Sequence, residues 1–354
     1  MNNARAAIVF IATLGSFFSH AQTNPLLLAG TGSAPQTSVA SADTAPAIGI
    51  NEWLLRMHES AMKRRSYVGT LVQSSPQAMS SARIWHACDG NQQMERVETL
   101  TGAPRSTFRH NDKLVIFMPQ DKLVRMEKRE STGGFPDVLK PGAATTIPEF
   151  YAIKSLGVER IAGLEAEAVQ LLPKDPLRFG YRIWTEKKSG LVVKLQTLDA
   201  ANNVLEQAAF SELQLDAPVK MEKLQHMMAA TEGYRVERAE LTKTTAATEG
   251  WILKTAVPGF RPVSCFKRGD TTVNSAASAT SAQPIMQWIF TDGLATVSLF
   301  VEGFDKSRHT QEGSMASGST HTLSARMQDY WMTAVGEVPA QTLKMFAASL
   351  ERKK

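Results

Sequence analysis

The sequence predicts an α+β protein, with one large, strongly curved antiparallel sheet followed by a smaller α+β unit. Three observations lead to this reading. Short runs rich in Val, Ile, Leu and aromatics, punctuated by turn dipeptides, recur from residue 67 to 213 with few helical patterns between them. The run "FGYRIWTEKKSGLVVKLQTLDAANNVLEQAAFSEL" (179–213) reads as three strands with bulky apolar groups on both sides. Composition shifts near Asp216, and strand signals resume only near residue 250.

Taken in order, the chain begins with a short basic region at Arg5 and the apolar run "AAIVFIATLGSFF" (6–18), which is too short to span a membrane and suits an export signal. "SHA" (19–21) places small residues before a cleavage site between Ala21 and Gln22, and the alternative is an uncleaved anchor. The residue after the site is Gln, not the Cys that a lipoprotein anchor requires. Residues 22–50 are rich in Ala, Thr, Ser, Pro and Gly with almost no charge, and read as a flexible linker. "NEWLLRMHESAMKRR" (51–65) places Trp53, Leu54, Met57, Ala61 and Met62 on one helical stripe.

Strands are expected at 67–73, 81–88, 91–100, 113–119 and 122–130, with Asp89-Gly90 as a hairpin turn. A long loop is expected over 131–150, then strands within 151–173 and the meander 179–213. Turns fall at Ala162-Gly163, Ser189-Gly190 and "DAANN" (199–203). This completes a first domain over 51–215. Residues 216–249 read as a short helix and an interdomain linker. The second domain, 250–354, carries strand signals at 250–260, 287–303 and 321–338 and an amphipathic helix at 339–353, its buried stripe being Leu343, Phe346, Ala347 and Leu350.

In the meander, strict alternation puts Tyr181 and Ile183 on one face and Trp184 on the other. It also puts Leu191, Val193 and Leu195 opposite Val192. Apolar groups on both faces mean that both are shielded. Helices or the second domain cover one face, or the sheet folds round an apolar hollow able to hold an acyl chain. Tyr181, Trp184 and Val192 are the candidate lining of such a hollow.

With 354 residues, 43% hydrophobic and 21% charged, the chain has room for two ordinary cores. Cleavage after Ala21 removes one basic residue and no acid, so the formal charge falls from +5 to +4. Cys88 and Cys265 both survive cleavage. In an oxidising compartment they are expected to form one bridge between the halves, worth about 4–5 kcal/mol in the loop-entropy picture, the alternative being two unpaired thiols.

No G-x-S-x-G, P-loop, H-E-x-x-H or G-x-G-x-x-G is present, and the seven histidines lack metal-ligand spacing, so no enzyme, metal or cofactor is expected. The basic cluster Arg125, Lys128 and Arg129 is the candidate surface for an acidic peptide or lipid phosphate, against the plainer reading of solvated charges. Nucleic acid is a poor partner for an exported chain without a binding motif.

The string "GVERIAGLEAEAVQLLPKDPLRFGYRIWTEKKSGLVVKLQTLDAANNVLEQAAFSEL" (157–213) resembles the core of the RseB/MucB proteins, periplasmic regulators of the sigma-E envelope-stress response. "VPGF" (257–260), "TDGLATVSLFVE" (291–302) and "AVGEVPAQT" (334–342) extend the resemblance in the same order. It implies a first domain like the lipoprotein carriers LolA and LolB: a half-open antiparallel barrel with plugging helices over an apolar cavity. It implies binding of the periplasmic segment of an RseA/MucA-type anti-sigma factor, shielding of that segment from proteolysis, and release by lipid or lipopolysaccharide. A lipid or lipoprotein carrier is the alternative, and a homodimer is left open.

Overall fold

The computed structural model describes residues 66–89, 92–128, 143–238, 241–269 and 284–353. The signal segment, the linker, the helix expected over 51–65 and Arg129 lie outside the described residues.

The first sheet has twelve strands. They are β1 (Tyr67–Ser75), β2 (Ala78–Asp89), β3 (Gln92–Thr99), β4 (Ser106–His110), β5 (Lys113–Met118), β6 (Leu123–Lys128), β7 (Tyr151–Ile161), β8 (Leu164–Pro173), β9 (Gly180–Glu186), β10 (Val192–Leu198), β11 (Val204–Leu215) and β12 (Arg235–Arg238). Their spatial order is β12-β6-β5-β4-β3-β2-β1-β11-β10-β9-β8-β7, so the sheet is open, with β12 and β7 as its edges. Every pairing is antiparallel except β12 with β6. Ala162 and Gly163 adopt φ 48° and 84° at the β7–β8 hairpin, the left-handed pair that a tight two-residue turn needs.

The sheet is curled. β7 approaches β11 although three strands lie between them in the sheet. Leu156 and Ile161 of β7 and Leu213 and Leu215 of β11 join one cluster with Leu71, Ile84, Ala168, Trp184, Val193 and Phe210. The opposite face of the meander packs on α1 (Ala143–Phe150), where Ile147 meets Tyr151, Leu171, Tyr181, Ile183 and Val192. A third cluster lies under α2 (Met221–Ala229), with Met221 and Leu224 against Met94, Phe108, Phe117 and Val124.

The second sheet has the order β13-β15-β16-β17-β20-β19-β18. Its strands are β13 (Leu241–Lys243), β15 (Arg261–Arg268), β16 (Ile285–Thr291), β17 (Thr296–Gly303), β18 (Gly313–Ser317), β19 (Thr320–Met327) and β20 (Tyr330–Gly336). Helix α3 (Ala340–Ser349) lays Leu343 and Phe346, both fully buried, on Phe290, Leu299, Met332 and Ala334. A two-stranded ribbon joins β14 (Trp251–Leu253) to β21 (Leu350–Arg352). Among the described residues no helix is long and apolar enough to cross a membrane.

The α+β class and the open curved sheet match expectation, while β4, β15 and β18 fall outside the expected strands and four further local readings change. Helix α1 falls in the expected loop, where Pro148 and neighbouring Thr residues mask a helix stabilised by tertiary burial. The segment read as a structureless linker carries β12 and β13, one added to each sheet. The C-terminal helix stops at Ser349, and Leu350 turns into β21. In the meander, the β9–β10 register shifts between Val192 and Lys194. The bulge inserts one residue and breaks strict alternation. Val192 therefore faces the α1 side with Leu195, while Leu191 and Val193 face the other.

Strand β2 offers a direct contrast. Ile84 is 0% exposed and Met79 is 74% exposed. Ile84→Ala should lower unfolding free energy by about 2–5 kcal/mol through lost burial and a residual cavity. Met79→Ser should change it by less than about 0.5 kcal/mol in the same urea titration.

Candidate functional site

The strings 174–181, 257–260, 291–295 and 337–342 come together where the two sheets meet. The loop between β8 and β9, "KDPLRFG", delivers Arg178, whose side chain is 0% exposed. Its Nε lies 2.9 Å from Asp292 Oδ2, its Nη1 pairs with Asp175, and its Nη2 donates to the carbonyl of Pro258 at 2.7 Å. The guanidinium also stacks on aromatic rings, 4.0 Å from the centroid of Phe150 and 5.0 Å from that of Phe260.

Asp292 is itself 0% exposed. It caps the β16–β17 turn, its Oδ1 accepting from the backbone N–H groups of Leu294 (2.9 Å) and Ala295 (2.8 Å). Burial pushes its pKa up, against the downward pull of those two N–H groups and of Arg178. The hydroxyl of Tyr151 donates to Oδ2 at 3.5 Å. Leu294, at the same turn, inserts into the first-sheet cluster of Ile147, Tyr181 and Ile183. Gly259 is required here on two counts. Its φ is +78°, and a Cβ would lie 2.0 Å from Arg178 Nη2 and 2.7 Å from the Phe150 ring.

Further bonds close the junction. Thr342 Oγ1 donates to the carbonyl of Leu177 at 2.7 Å, and Gln341 donates to that of Pro176. On another side, Glu206 of β11 accepts from Ser319 Oγ at 2.8 Å.

The residues singled out from sequence separate. Tyr181 and Val192 share the α1-side cluster, while Trp184 lies in the cluster enclosed by the curl. Trp184 Nε1 is buried without a hydrogen bond, and Lys194 Nζ sits 4.2 Å from its ring centroid. A small hollow of about 10 Å³ nearby is lined by Leu71, Val192, Val193, Lys194, Leu195, Ala208 and Phe210, which is space for one water. Arg125 pairs with Glu237 of β12 at 3.4 Å, and Lys128 with Asp112 at 3.2 Å. The expected Cys88–Cys265 bridge is not formed. Both thiols are free, Cys88 on β2 and Cys265 inside the core of the second sheet. Each strand is held by its own sheet's ladder, which gives each sulfur a separate environment.

A second polar cluster lies at the far end of β2. His86 Nε2 is 3.0 Å from Cys88 Sγ, and His86 Nδ1 is 3.6 Å from Glu95 Oε2 on β3. Tyr67 stacks on the imidazole with centroids 4.9 Å apart, and Arg109 reaches Glu95 at 3.4 Å. Burial lowers the His86 pKa, but the hydrogen bonds to Cys88 and Glu95 outweigh it and raise the value from 6.5 to about 9.

These features define a two-sheet protein whose open sheets meet at a buried ion pair. The MucB/RseB N-terminal domain family matches residues 49–228 and the MucB/RseB C-terminal domain family residues 245–351, and the chain belongs to this family. The Sigma factor AlgU regulatory protein MucB of Pseudomonas aeruginosa is 26% identical over 340 residues, covering 92% of this chain and 95% of that protein. The Sigma-E factor regulatory protein RseB of Escherichia coli K12 is 22% identical over 313 residues, covering 88% and 93%. The crystal structure of MucB in complex with MucA(peri) shares the fold, with a TM-score of 0.62 at 24% identity over 86% of this chain and 98% of that one.

Two outcomes test the site's energetics. Arg178→Met strands Asp292 as a buried carboxylate and should destabilise the protein by about 3–5 kcal/mol, read by urea unfolding. Adding Asp292→Asn, which keeps the turn's backbone bonds, should recover much of that loss. The raised His86 pKa stabilises the fold fully below about 6.5, and that contribution is lost as pH rises through about 9. The melting temperature should therefore fall across that window, with Cys88, Glu95, Tyr67 and Arg109 as the facing groups, and His86→Asn should flatten the slope.

Proposed function

We propose that this protein is an exported periplasmic regulator that binds the periplasmic segment of a membrane-spanning anti-sigma factor and shields it from the first regulatory protease. The observation that carries this reading is family membership through both sheets, since the two family matches together span most of the chain. The related MucB is solved in complex with MucA(peri), and sequestration of such a segment requires grip without chemistry. Among the described residues β12, β7, β13 and β18 each pair on one side only, and such edges suit an extended peptide.

Lipid or lipopolysaccharide is the proposed releasing signal. The face enclosed by the curl favours it, with an unbonded Trp184 Nε1, a cation at Lys194 and an apolar hollow that would have to widen to accept an acyl chain. Such a lipid releases the partner only if it binds the released form more tightly. A periplasmic lipid or lipoprotein carrier is the second reading, favoured by the same face but leaving the second sheet without a task.

The test mixes the mature protein with the periplasmic segment of the anti-sigma factor from the same cell. Co-elution and slower cleavage of that segment are expected. Failure of both removes the regulator reading. Hand-over of bound lipid to an outer-membrane acceptor would establish the carrier instead.

A further inference from the structure

The His86 cluster plays no part in the proposed grip, yet its parts are arranged for chemistry at sulfur. His86 and Cys88 are two apart on β2, so their side chains share one face. The ladder sets Glu95 directly opposite His86. His86 and Glu95 are each 5% exposed, while Cys88, nearer the strand end, is partly exposed. A buried pair thus sits beneath a reachable sulfur. The imidazole cannot swing away, because Tyr67 stacks on it at an interplanar angle of 15° and Glu95 faces its other nitrogen. A thiol against an imidazole that is itself oriented by a carboxylate has the geometry of an activated sulfur nucleophile.

We propose that Cys88 is a modification site, a nucleophilic thiol served by His86 and positioned by Glu95, that accepts a small thiol group from a low-molecular-weight disulfide. The Cys88 sulfur attacks one sulfur of the disulfide R–S–S–R. The S–S bond breaks, Cys88–S–S–R forms, and RS⁻ leaves. The proton from the Cys88–His86 pair passes to RS⁻, giving RSH. Cys88 is oxidised and one half of the donor is reduced, so no further oxidant is required. An oxidising compartment supplies donors of this class.

Cys265 provides the internal control. It is buried in the second core, and burial together with the nearby Glu249 carboxylate pushes its thiol up to about 11.

The experiment exposes the folded mature protein to oxidised glutathione at neutral pH and follows intact mass and peptide maps. One glutathionyl adduct at Cys88, reversed by dithiothreitol and absent from Cys265, is expected. The rate should exceed that of the urea-unfolded chain by about tenfold or more, as an imidazole-activated thiol implies. His86→Asn should slow it by about tenfold, with a smaller loss for Glu95→Gln. Native Cys88 reacting no faster than the unfolded chain overturns the proposal, and that comparison needs no variant to fold. An unchanged rate in a folded His86→Asn protein overturns it too. So does isolation of the mature protein two hydrogens lighter with Cys88 joined to Cys265.

Discussion

A guanidinium cannot be buried alone. Its donors must find acceptors in the dry interior, and its charge must find a counter-charge. Arg178 meets this requirement by drawing on three separate segments: Asp175 in its own loop, the Pro258 carbonyl, and Asp292 at the β16–β17 turn. Much of the junction is arranged round that need. Gly259 is glycine because the guanidinium and Phe150 occupy the place of a Cβ. Asp292 is anchored by two backbone N–H groups, so its position is set within its own turn. Leu294, carried on the same turn, adds apolar burial to the electrostatic fit.

This constraint also shapes how the two sheets can move. A slip that leaves Arg178 or Asp292 dry and unpartnered costs far more than an opening that wets both together. The junction therefore favours discrete docked and undocked arrangements over gradual sliding. The strands added from the connecting segment work in the same direction. β12 extends the first sheet and β13 the second, so the chain between the sheets is itself fixed at both ends.

Much of this fold was legible in the chain, and the failures have physical causes. Ala162-Gly163 announces its hairpin because turn geometry is a local property. β12, β13 and β18 are short and polar, and exist only because a neighbouring edge accepts them. The bulge at Val192 is invisible to a period-2 reading, because one inserted residue reverses the faces on either side of it. Arg178 sits in a loop whose Lys174 and Asp175 disguise its burial, and its apolar neighbours Leu177 and Phe179 are the local hint that the loop is buried. The pairing of His86 with Cys88 could be read from strand period alone, but Glu95 enters only through the register of β2 with β3.

The two free cysteines show how far environment outweighs residue type. Both lie on antiparallel strands within single sheets, and composition treats them as interchangeable. Cys265 is enclosed by apolar side chains of the second core, with Glu249 adding negative charge, and both influences favour the neutral thiol. Cys88 lies next to the end of a strand whose inward face has turned from Ile84 to His86, so its sulfur meets an imidazole where Cys265 meets hydrocarbon. Burial silences one sulfur and positions a proton carrier against the other. The difference arises from where each strand ends relative to its core, a property of topology that a count of cysteines cannot register.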